Sequence, residues 1–291
     1  MTQYSYLVGL VGPGTGRFLG FELHEREADR HGVRYLCRRV NTDTYSSPRR
    51  DLGALLRTCR DFGFSGLGIA PSHRRLVVPH VDELSEAAAR ADSVDVVVFT
   101  RDGRTAGHST DVAGCTAAFA RGLPGVPPGR VVQLGAGGTG LAAALALRDR
   151  GAEHLAVLDS DLERAEALVA RVNKGAGDGW AQAFPLASLA ARLRRADGLV
   201  HCLPSGSDAR GDTALTGALH RDLWIFDLRY RPVPTPLLRA GHALGCRVLH
   251  GGGVLVNEAA DAFRLVTGLP PHTSHMFADF AELTAGPQAH T

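Results

Sequence analysis

The sequence predicts an α/β protein of two domains, and three observations lead there. Strand-like and helix-like stretches alternate along the chain, the order that builds parallel sheets covered by helices. Residues 131–159, VVQLGAGGTGLAAALALRDRGAEHLAVLD, read as strand, glycine turn, helix and strand. The length of 291 residues, with 44% hydrophobic and 21% charged residues, suits a globular protein with room for two cores.

The elements of the first domain follow in order. Residues 4–11 are an apolar strand closed by Gly12-Pro13-Gly14, 22–31 a short helix, and 35–40 a second strand. Leu52, Leu55, Leu56 and Cys59 fall at helical spacing within residues 51–62, and 66–70 form a third strand. Residues 82–91 read as helix and 94–99 as strand before the turn Asp102-Gly103. The alternation predicts parallel pairing here. A connecting helix over 112–122 then ends in the proline- and glycine-rich stretch 123–129.

The second domain opens on the glycine turn. Gly135-Ala136-Gly137-Gly138-Thr139-Gly140 has glycines where a dinucleotide-binding loop needs them. Gly135 allows the tight turn, Gly137 lets a pyrophosphate approach the backbone, and Gly140 lets helix and strand pack closely. The helix N-terminus behind the loop offers unpaired N–H groups to phosphate. Asp159 ends the following strand, where a carboxylate accepts the ribose hydroxyls of NAD and repels the 2′-phosphate of NADP, and Asp161 adds to that repulsion. Both acids also suit capping of the next helix. No Gly-Lys-Ser/Thr ending is present, which argues against a P-loop phosphotransferase.

Helices at 162–173, 186–193 and 237–245 and strands at 198–203, 225–228 and 247–250 complete a doubly wound, Rossmann-type parallel sheet, with a polar loop at 174–179. Its ligand crevice lies at the strand C-termini, which groups Gly135 to Gly140, Asp159, Leu203-Pro204-Ser205-Gly206 and the segment from Asp227 to Tyr230 around one nucleotide. The helix at 255–266 and the tail come after this sheet is complete and are expected to return to the first domain. The expected division is therefore 1–113 with 253–291, and 114–252.

Composition excludes several classes of function. A formal net charge of +2, with arginines scattered among acids, gives no sign of nucleic-acid or anionic-membrane binding. No stretch approaches the ~20 apolar residues of a membrane span, and the opening residues lack the pattern of a signal peptide. A cytoplasmic protein is expected. Five cysteines without CxxC spacing suggest neither a disulfide framework nor a zinc site, so no metal is expected. The expected partner is a small-molecule substrate, with a homodimer left open.

Several segments together resemble the shikimate/quinate dehydrogenase family. They are the glycine loop, Gly107-His108-Ser109-Thr110-Asp111-Val112-Ala113-Gly114, Tyr230 and Pro232 ahead of Thr235-Pro236-Leu237-Leu238, and the run from Ala259 to Gly268. The similarity spans nearly the whole chain and is strongest to the NAD-using actinobacterial quinate/shikimate type. It implies a substrate domain formed by the first unit with the C-terminal helices, and a dinucleotide domain between them.

The positions that the resemblance assigns to substrate are largely replaced. The family's Ser-x-Ser/Thr-Pro carboxylate clasp falls on Phe18, Leu19, Gly20 and Phe21, with His24 retained; its Asn-x-Thr falls on Gly68-Ile69-Ala70. The catalytic lysine falls on Arg74, and the only lysine in the chain, Lys174, lies in the other domain. Asp95 lies in the segment replacing Gly-Ala-Val-Asn-Thr, Ser109 replaces an asparagine, and Glu258 replaces a glutamine, while Asp111 is kept. Arginine polarises or orients an oxygen but accepts protons poorly, which leaves Asp111 or His73 for proton transfer. Asp95, Glu258 and Asp111 together favour a cationic ligand, unless the first two pair with Arg74 or Arg17.

The resulting expectation is an NAD-dependent oxidoreductase acting on a non-shikimate compound, such as an amino-substituted ring of specialised metabolism. A non-redox enzyme transforming the dinucleotide and a catalytically silent NAD-binding protein are the alternatives, with ordinary shikimate or quinate oxidation placed last. The candidate residues are Asp111, Arg74 and His73 for catalysis and Phe18, Gly20, Asp95, Ser109, Tyr230 and Glu258 for substrate. For the cofactor they are Gly135, Ala136, Gly137, Gly138, Thr139, Gly140, Asp159, Leu203 and Pro204.

Overall fold

Alternating strands and helices assemble into two compact units, residues 1–110 with 255–291, and residues 111–254, each with its own sheet. The structure, a computed structural model, describes residues 4–14, 18–43, 48–174, 179–203, 215–231 and 234–285, with 48–51 described by backbone alone. Pro204, Ser205, Gly206, Arg17, Pro232 and residues 175–178 of the polar loop lie outside the described residues.

The first unit is a six-stranded sheet in the order β2-β1-β3-β5-β6-β4. β1 (Ser5–Gly12) pairs in parallel with β2 (Arg34–Asn41) and β3 (Gly66–Ile69). β5 (Val96–Phe99) runs antiparallel to both β3 and β6 (Thr105–His108), and β6 pairs in parallel with the two-residue β4 (Glu83–Leu84). The expectation of an all-parallel sheet is thus corrected. The tight Asp102-Gly103 turn, with Gly103 at φ +81°, joins neighbouring strands as a hairpin, and a hairpin reverses direction. Neither β4 nor β6 announces itself in sequence, because β4 is exposed and Thr-Ala-Gly-His carries little apolar pattern.

Helices cover both faces of this sheet. On one side α1 (Leu19–Arg30) and α9 (Gly252–Thr267, of which Leu255 onward belongs here) enclose Val8, Ala28, Tyr35, Cys37 and Phe263. On the other, α2 (Pro48–Asp61) packs Leu52, Leu55, Leu56 and Cys59 against Leu67, Ile69 and Val97. α3 (Glu86–Ala91) is shorter than the helix expected at 82–91, because Ser85 caps it by accepting a hydrogen bond from Ala88 N–H. The tail forms α10 (Thr273–Ala285), which lies along α1.

The second unit is a fully parallel sheet in the order β12-β11-β10-β7-β8-β9. Its strands are β7 (Arg130–Leu134), β8 (His154–Asp159), β9 (Ala181–Pro185), β10 (Gly198–His201), β11 (Trp224–Asp227) and β12 (Arg247–His250). The strand order reverses direction between β7 and β10, and that switch point opens a crevice at the strand C-termini. α4 (Asp111–Gly122), α5 (Gly138–Asp149) and α6 (Leu162–Asn173) accompany α7 (Leu189–Leu193) and α8 (Pro236–Ala243) around it. Leu189, Leu193, Leu237 and Leu238 bury one face over Val132, Leu134, Leu199 and Ile225. Among the described residues, no helix is long and apolar enough to cross a membrane.

Candidate active site

In the second unit the glycine loop links β7 to α5 with the geometry its spacing requires. Gly135 sits at φ +102°, where a Cβ would also meet the Cys202 backbone at 3.0 Å, and a Cβ on Gly140 would lie 2.3 Å from the Gly135 carbonyl oxygen. These two glycines are fixed by the protein itself. Gly137 and Gly138 differ: a Cβ on Gly137 would meet only the Arg164 guanidinium, at 3.7 Å, and one on Gly138 would meet nothing within 4 Å. Their missing side chains leave an open cradle at the N-terminus of α5, where unpaired N–H groups suit a pyrophosphate. The residues present therefore fit a dinucleotide. Thr139 is exposed at the same turn.

Two side chains hold this cradle in shape. Asp159 Oδ2 accepts the Ala136 N–H at 2.7 Å, and its Oδ1 accepts the Asp161 N–H at 3.0 Å. Asp161 in turn caps α6 through the Glu163 and Arg164 N–H groups, which is the capping role suggested for this acid pair. Gln133, fully buried, donates from Nε2 to the Gly135 and Gly140 carbonyls at 2.9 and 3.0 Å. Sequence reasoning passed over Gln133; a polar residue inside an apolar strand was the available signal.

Across the switch point, β10 leads to Leu203, which packs on the core of this unit. At the end of β11, buried Asp227 accepts hydrogen bonds from Arg229 Nε and Nη2, at 2.9 and 2.8 Å, and from Thr235 Oγ1 at 2.6 Å. Burial opposes its charge, but His201, Arg229 and Thr235 outweigh burial and hold its pKa down to about 2. This network anchors the turn that carries half-buried Tyr230.

The first unit holds a cavity of about 70 Å³ between its sheet and the helices α1 and α9. Val8, Leu10, Leu67 and Val96 form its floor, and Ala259, Ala262 and Val266 of α9 one wall. Phe18, Gly20, Arg74, Asp95 and Glu258, scattered over the sequence, all line it, as do Thr110, Phe21, His24 and Tyr35. Phe18 and Phe21 meet edge to face at 5.4 Å, and a Cβ on Gly20 would strike the Phe18 ring at 2.6 Å, so glycine is what lets Phe18 fold back.

Polar groups at this cavity are tightly organised. Asp95 Oδ2 accepts hydrogen bonds from both the N–H and the hydroxyl of Thr110, each at 2.8 Å, and Arg74 Nε donates to the Ile69 carbonyl at 3.2 Å. His24 Nε2 donates to the Ala259 carbonyl at 2.9 Å, which leaves Nδ1 to accept the Tyr35 hydroxyl at 3.3 Å. Burial pushes the pKa of His24 down to about 4, so it is a neutral, fixed tautomer. The roles of Thr110 and Tyr35 were not anticipated; only their spatial convergence reveals them.

Other candidates lie elsewhere. His73 does not line the cavity: its ring nitrogens meet Thr42 Oγ1 at 3.1 Å and Ser72 Oγ at 2.9 Å, and burial lowers its pKa. Ser109 is buried, and its hydroxyl has no hydrogen-bond partner among the described residues. Asp111, the first residue of α4, and Tyr230 belong to the second unit.

Comparison with known proteins bears directly on what this arrangement does. No family model matches the sequence. The chain is 48% identical over 284 residues to a shikimate dehydrogenase (NADP(+)) of Streptomyces avermitilis, covering 97% of each chain. It is 39% identical over 284 residues to a quinate/shikimate dehydrogenase (NAD(+)) of Corynebacterium efficiens, covering 97% of this chain and 100% of that one. Among solved structures, the quinate dehydrogenase from Corynebacterium glutamicum in complex with NAD matches with a TM-score of 0.89 at 37% identity, over 96% of this chain and 100% of that one.

These relatives overturn the expectation of a non-shikimate, amino-substituted substrate in specialised metabolism, and with it the ranking that placed shikimate or quinate oxidation last. The physical error lay in counting charges and lost hydroxyls one position at a time. The Asp95 carboxylate is engaged by Thr110 and Arg74 lines the same cavity, so the pocket is not a bare acidic cleft selecting a cation. A guanidinium is itself a ligand suited to carboxylates, so loss of hydroxyls does not exclude an acid. With these identities over nearly its full length, the chain belongs to the shikimate/quinate dehydrogenase family and is a dehydrogenase-like enzyme.

Proposed function

We propose that the chain is an NAD-dependent dehydrogenase that interconverts a ring carbinol and its ketone on a shikimate- or quinate-type acid. The observation that carries the cofactor half of this reading is Asp159, whose carboxylate is fixed beside the glycine loop by the Ala136 N–H at 2.7 Å. A carboxylate held there favours ribose hydroxyls over a 2′-phosphate. The relative in complex with NAD and the relatives named NAD(+)-dependent support this choice, whereas the Streptomyces relative is named for NADP(+). Arg164, over the Gly137 edge of the loop, contributes positive charge suited to phosphate.

When bound, the nicotinamide supplies the hydride acceptor or donor. The chain's own residues position and shuttle protons. Backbone N–H groups from Gly137 to Gly140 would hold the pyrophosphate, with Gln133 and Asp159 fixing the shape of the loop that carries them. Arg74 stands at the position that the family resemblance gives to a catalytic lysine, and it binds or polarises a substrate oxygen without taking its proton. We assign the proton acceptor to Asp111, bonded in the chain to Thr110 of the cavity, and drop His73 from that role because hydroxyls meet both its nitrogens. Phe18 and Phe21 offer the ring an apolar wall.

The test is an initial-rate assay of NADH and NADPH formation with shikimate and with quinate, paired with thermal melts in NAD and NADP. Turnover of either acid with NAD, and greater stabilisation by NAD, are expected. Absence of turnover with both acids and both cofactors refutes the substrate assignment; equal stabilisation refutes the Asp159 argument.

A further inference from the structure

Away from the cavity and the glycine loop, Glu27 of α1 is fully buried and forms the centre of a cluster with His31 and His272. His31 stands four residues on, at the C-terminal cap of α1, and His272 immediately precedes α10. Glu27 Oε1 lies 3.2 Å from His31 Nε2 and 2.8 Å from His272 Nδ1, and it also accepts the His272 backbone N–H at 2.6 Å. The two imidazole nitrogens and one carboxylate oxygen all lie within 4.8 Å of one another.

Charge accounting shows what this cluster lacks. Arg30 donates to Glu27 Oε2 at 3.0 Å and to Asp279 at 2.6 and 2.7 Å, and Arg26 donates to Asp279 at 3.3 Å and Glu282 at 2.8 Å. Two guanidinium groups thus face three carboxylates. Glu282 is exposed, so the surplus charge is at the surface; at buried Glu27, however, Oε2 takes Arg30 while Oε1 faces only the two histidines among the described residues, and a buried carboxylate oxygen favours a cation beside it.

We propose that Glu27, His31 and His272 form a binding site for a divalent transition-metal ion, zinc(II) by preference, which clamps the start of α10 onto α1. The donor set of two imidazoles and one carboxylate is one that zinc accepts, with water in the fourth position. The observed N···O separations of 2.8 and 3.2 Å approach the edge of about 3.3 Å in a tetrahedron of zinc-length bonds, so small side-chain shifts admit the ion. Each imidazole then presents a bare nitrogen, His31 through Nε2 and His272 through Nδ1, with its proton on the other ring nitrogen. The Glu27-x-x-x-His31 spacing places two ligands on one helical face, and the Leu269-Pro270-Pro271 segment delivers the third.

The test is titration of the full chain, stripped with a chelator, with zinc and with cobalt(II), following heat, visible absorption and the melting temperature. One tight equivalent, a tetrahedral cobalt spectrum with no thiolate charge-transfer band, and a metal-dependent rise in melting temperature are expected. His272→Ala, His272→Gln and His31→Ala should each weaken binding by at least about tenfold and remove the rise in melting temperature, while His242→Ala, on the exposed face of α8, should leave both unchanged. His272 is half exposed, and the glutamine variant retains a donor to Glu27, so folding of that variant is preserved. No stoichiometric binding, undiminished binding by the two His272 variants, or a thiolate band would each overturn the proposal.

Discussion

The glycine loop of the second unit and the cavity of the first are built from opposite materials. The loop is made of backbone: its ligands are N–H groups, and its essential side chains are the ones that are missing, at Gly137 and Gly138. The cavity is made of side chains drawn from β1, β3, β5, α1, α9 and the segments carrying Arg74, Asp95 and Thr110. A backbone site is specified by local spacing and tolerates little change. A side-chain site is a sum over distant positions, so replacing one lining residue by another of different chemistry does not by itself specify a new class of ligand. Reading each replaced residue as a change of substrate was the mistake this contrast exposes.

The largest expected effect tests whether the rebuilt site still carries proton transfer. Asp111→Asn should lower turnover by about a hundredfold or more with the dissociation constant for NAD unchanged, measured by steady-state rates and fluorescence titration. Unchanged rates would remove Asp111 from the proposed chemistry.

The next effect concerns the stability of the cavity wall. Burial lowers the pKa of His24 to about 4, against 6.5 for an ordinary histidine, so the unfolded chain takes up the proton first as pH falls. The stability held by neutral His24 is complete above the ordinary value and is lost as pH falls toward the folded value, by roughly 3 kcal/mol in all. Urea melts across this interval should show that slope, and His24→Gln, which cannot titrate, should flatten it.

Two smaller effects probe the loop. Gly140→Ala forces a Cβ to 2.3 Å from the Gly135 carbonyl oxygen, and the strain should cost roughly 1–3 kcal/mol in folding or cofactor binding, seen in melts with and without NAD. Full tolerance would mean that the loop is less rigid than the cavity. Asp159→Ala should shift the NAD to NADP preference by about tenfold toward NADP, equivalent to about 1.4 kcal/mol, in a comparison of kcat/KM for the two cofactors. An unchanged preference would place the selectivity elsewhere, with Arg164 the first residue to examine.

Legibility followed the same division. Most of the second sheet was readable because its central strands are continuous apolar runs, as in buried Leu155 to Leu158, and because glycine spacing marks the turn after the first of them; the edge strand β9, Ala-Gln-Ala-Phe-Pro, is only partly buried and escaped notice. In the first unit, β4 and β6 escaped notice: a two-residue exposed strand and Thr-Ala-Gly-His have no periodicity to read, and they exist because neighbouring strands supply hydrogen-bond partners. C-terminal helices were expected from the family resemblance, but the bounds of α10, which is fixed to α1 by Arg26, Arg30, Asp279 and Glu282, were not read from the residues. Phe18, Gly20, Arg74, Asp95 and Glu258 were singled out through the family resemblance and do meet at one cavity; Tyr35 carried no local signal, whereas Gln133 stood out only as a polar residue in an apolar strand and Thr110 only as part of the 107–114 segment.

The sequence by itself determined the α/β class, the place of the nucleotide loop and the acid beside it, because each depends on residues within one strand-turn-helix-strand unit. Only the tertiary structure decided that the Asp95 carboxylate is taken up by Thr110, that His73 is held by Thr42 and Ser72, and that His31 and His272 converge on Glu27. Hydrogen bonds among residues far apart in the chain form only where folding has set their distance and excluded water, and no local pattern encodes that distance.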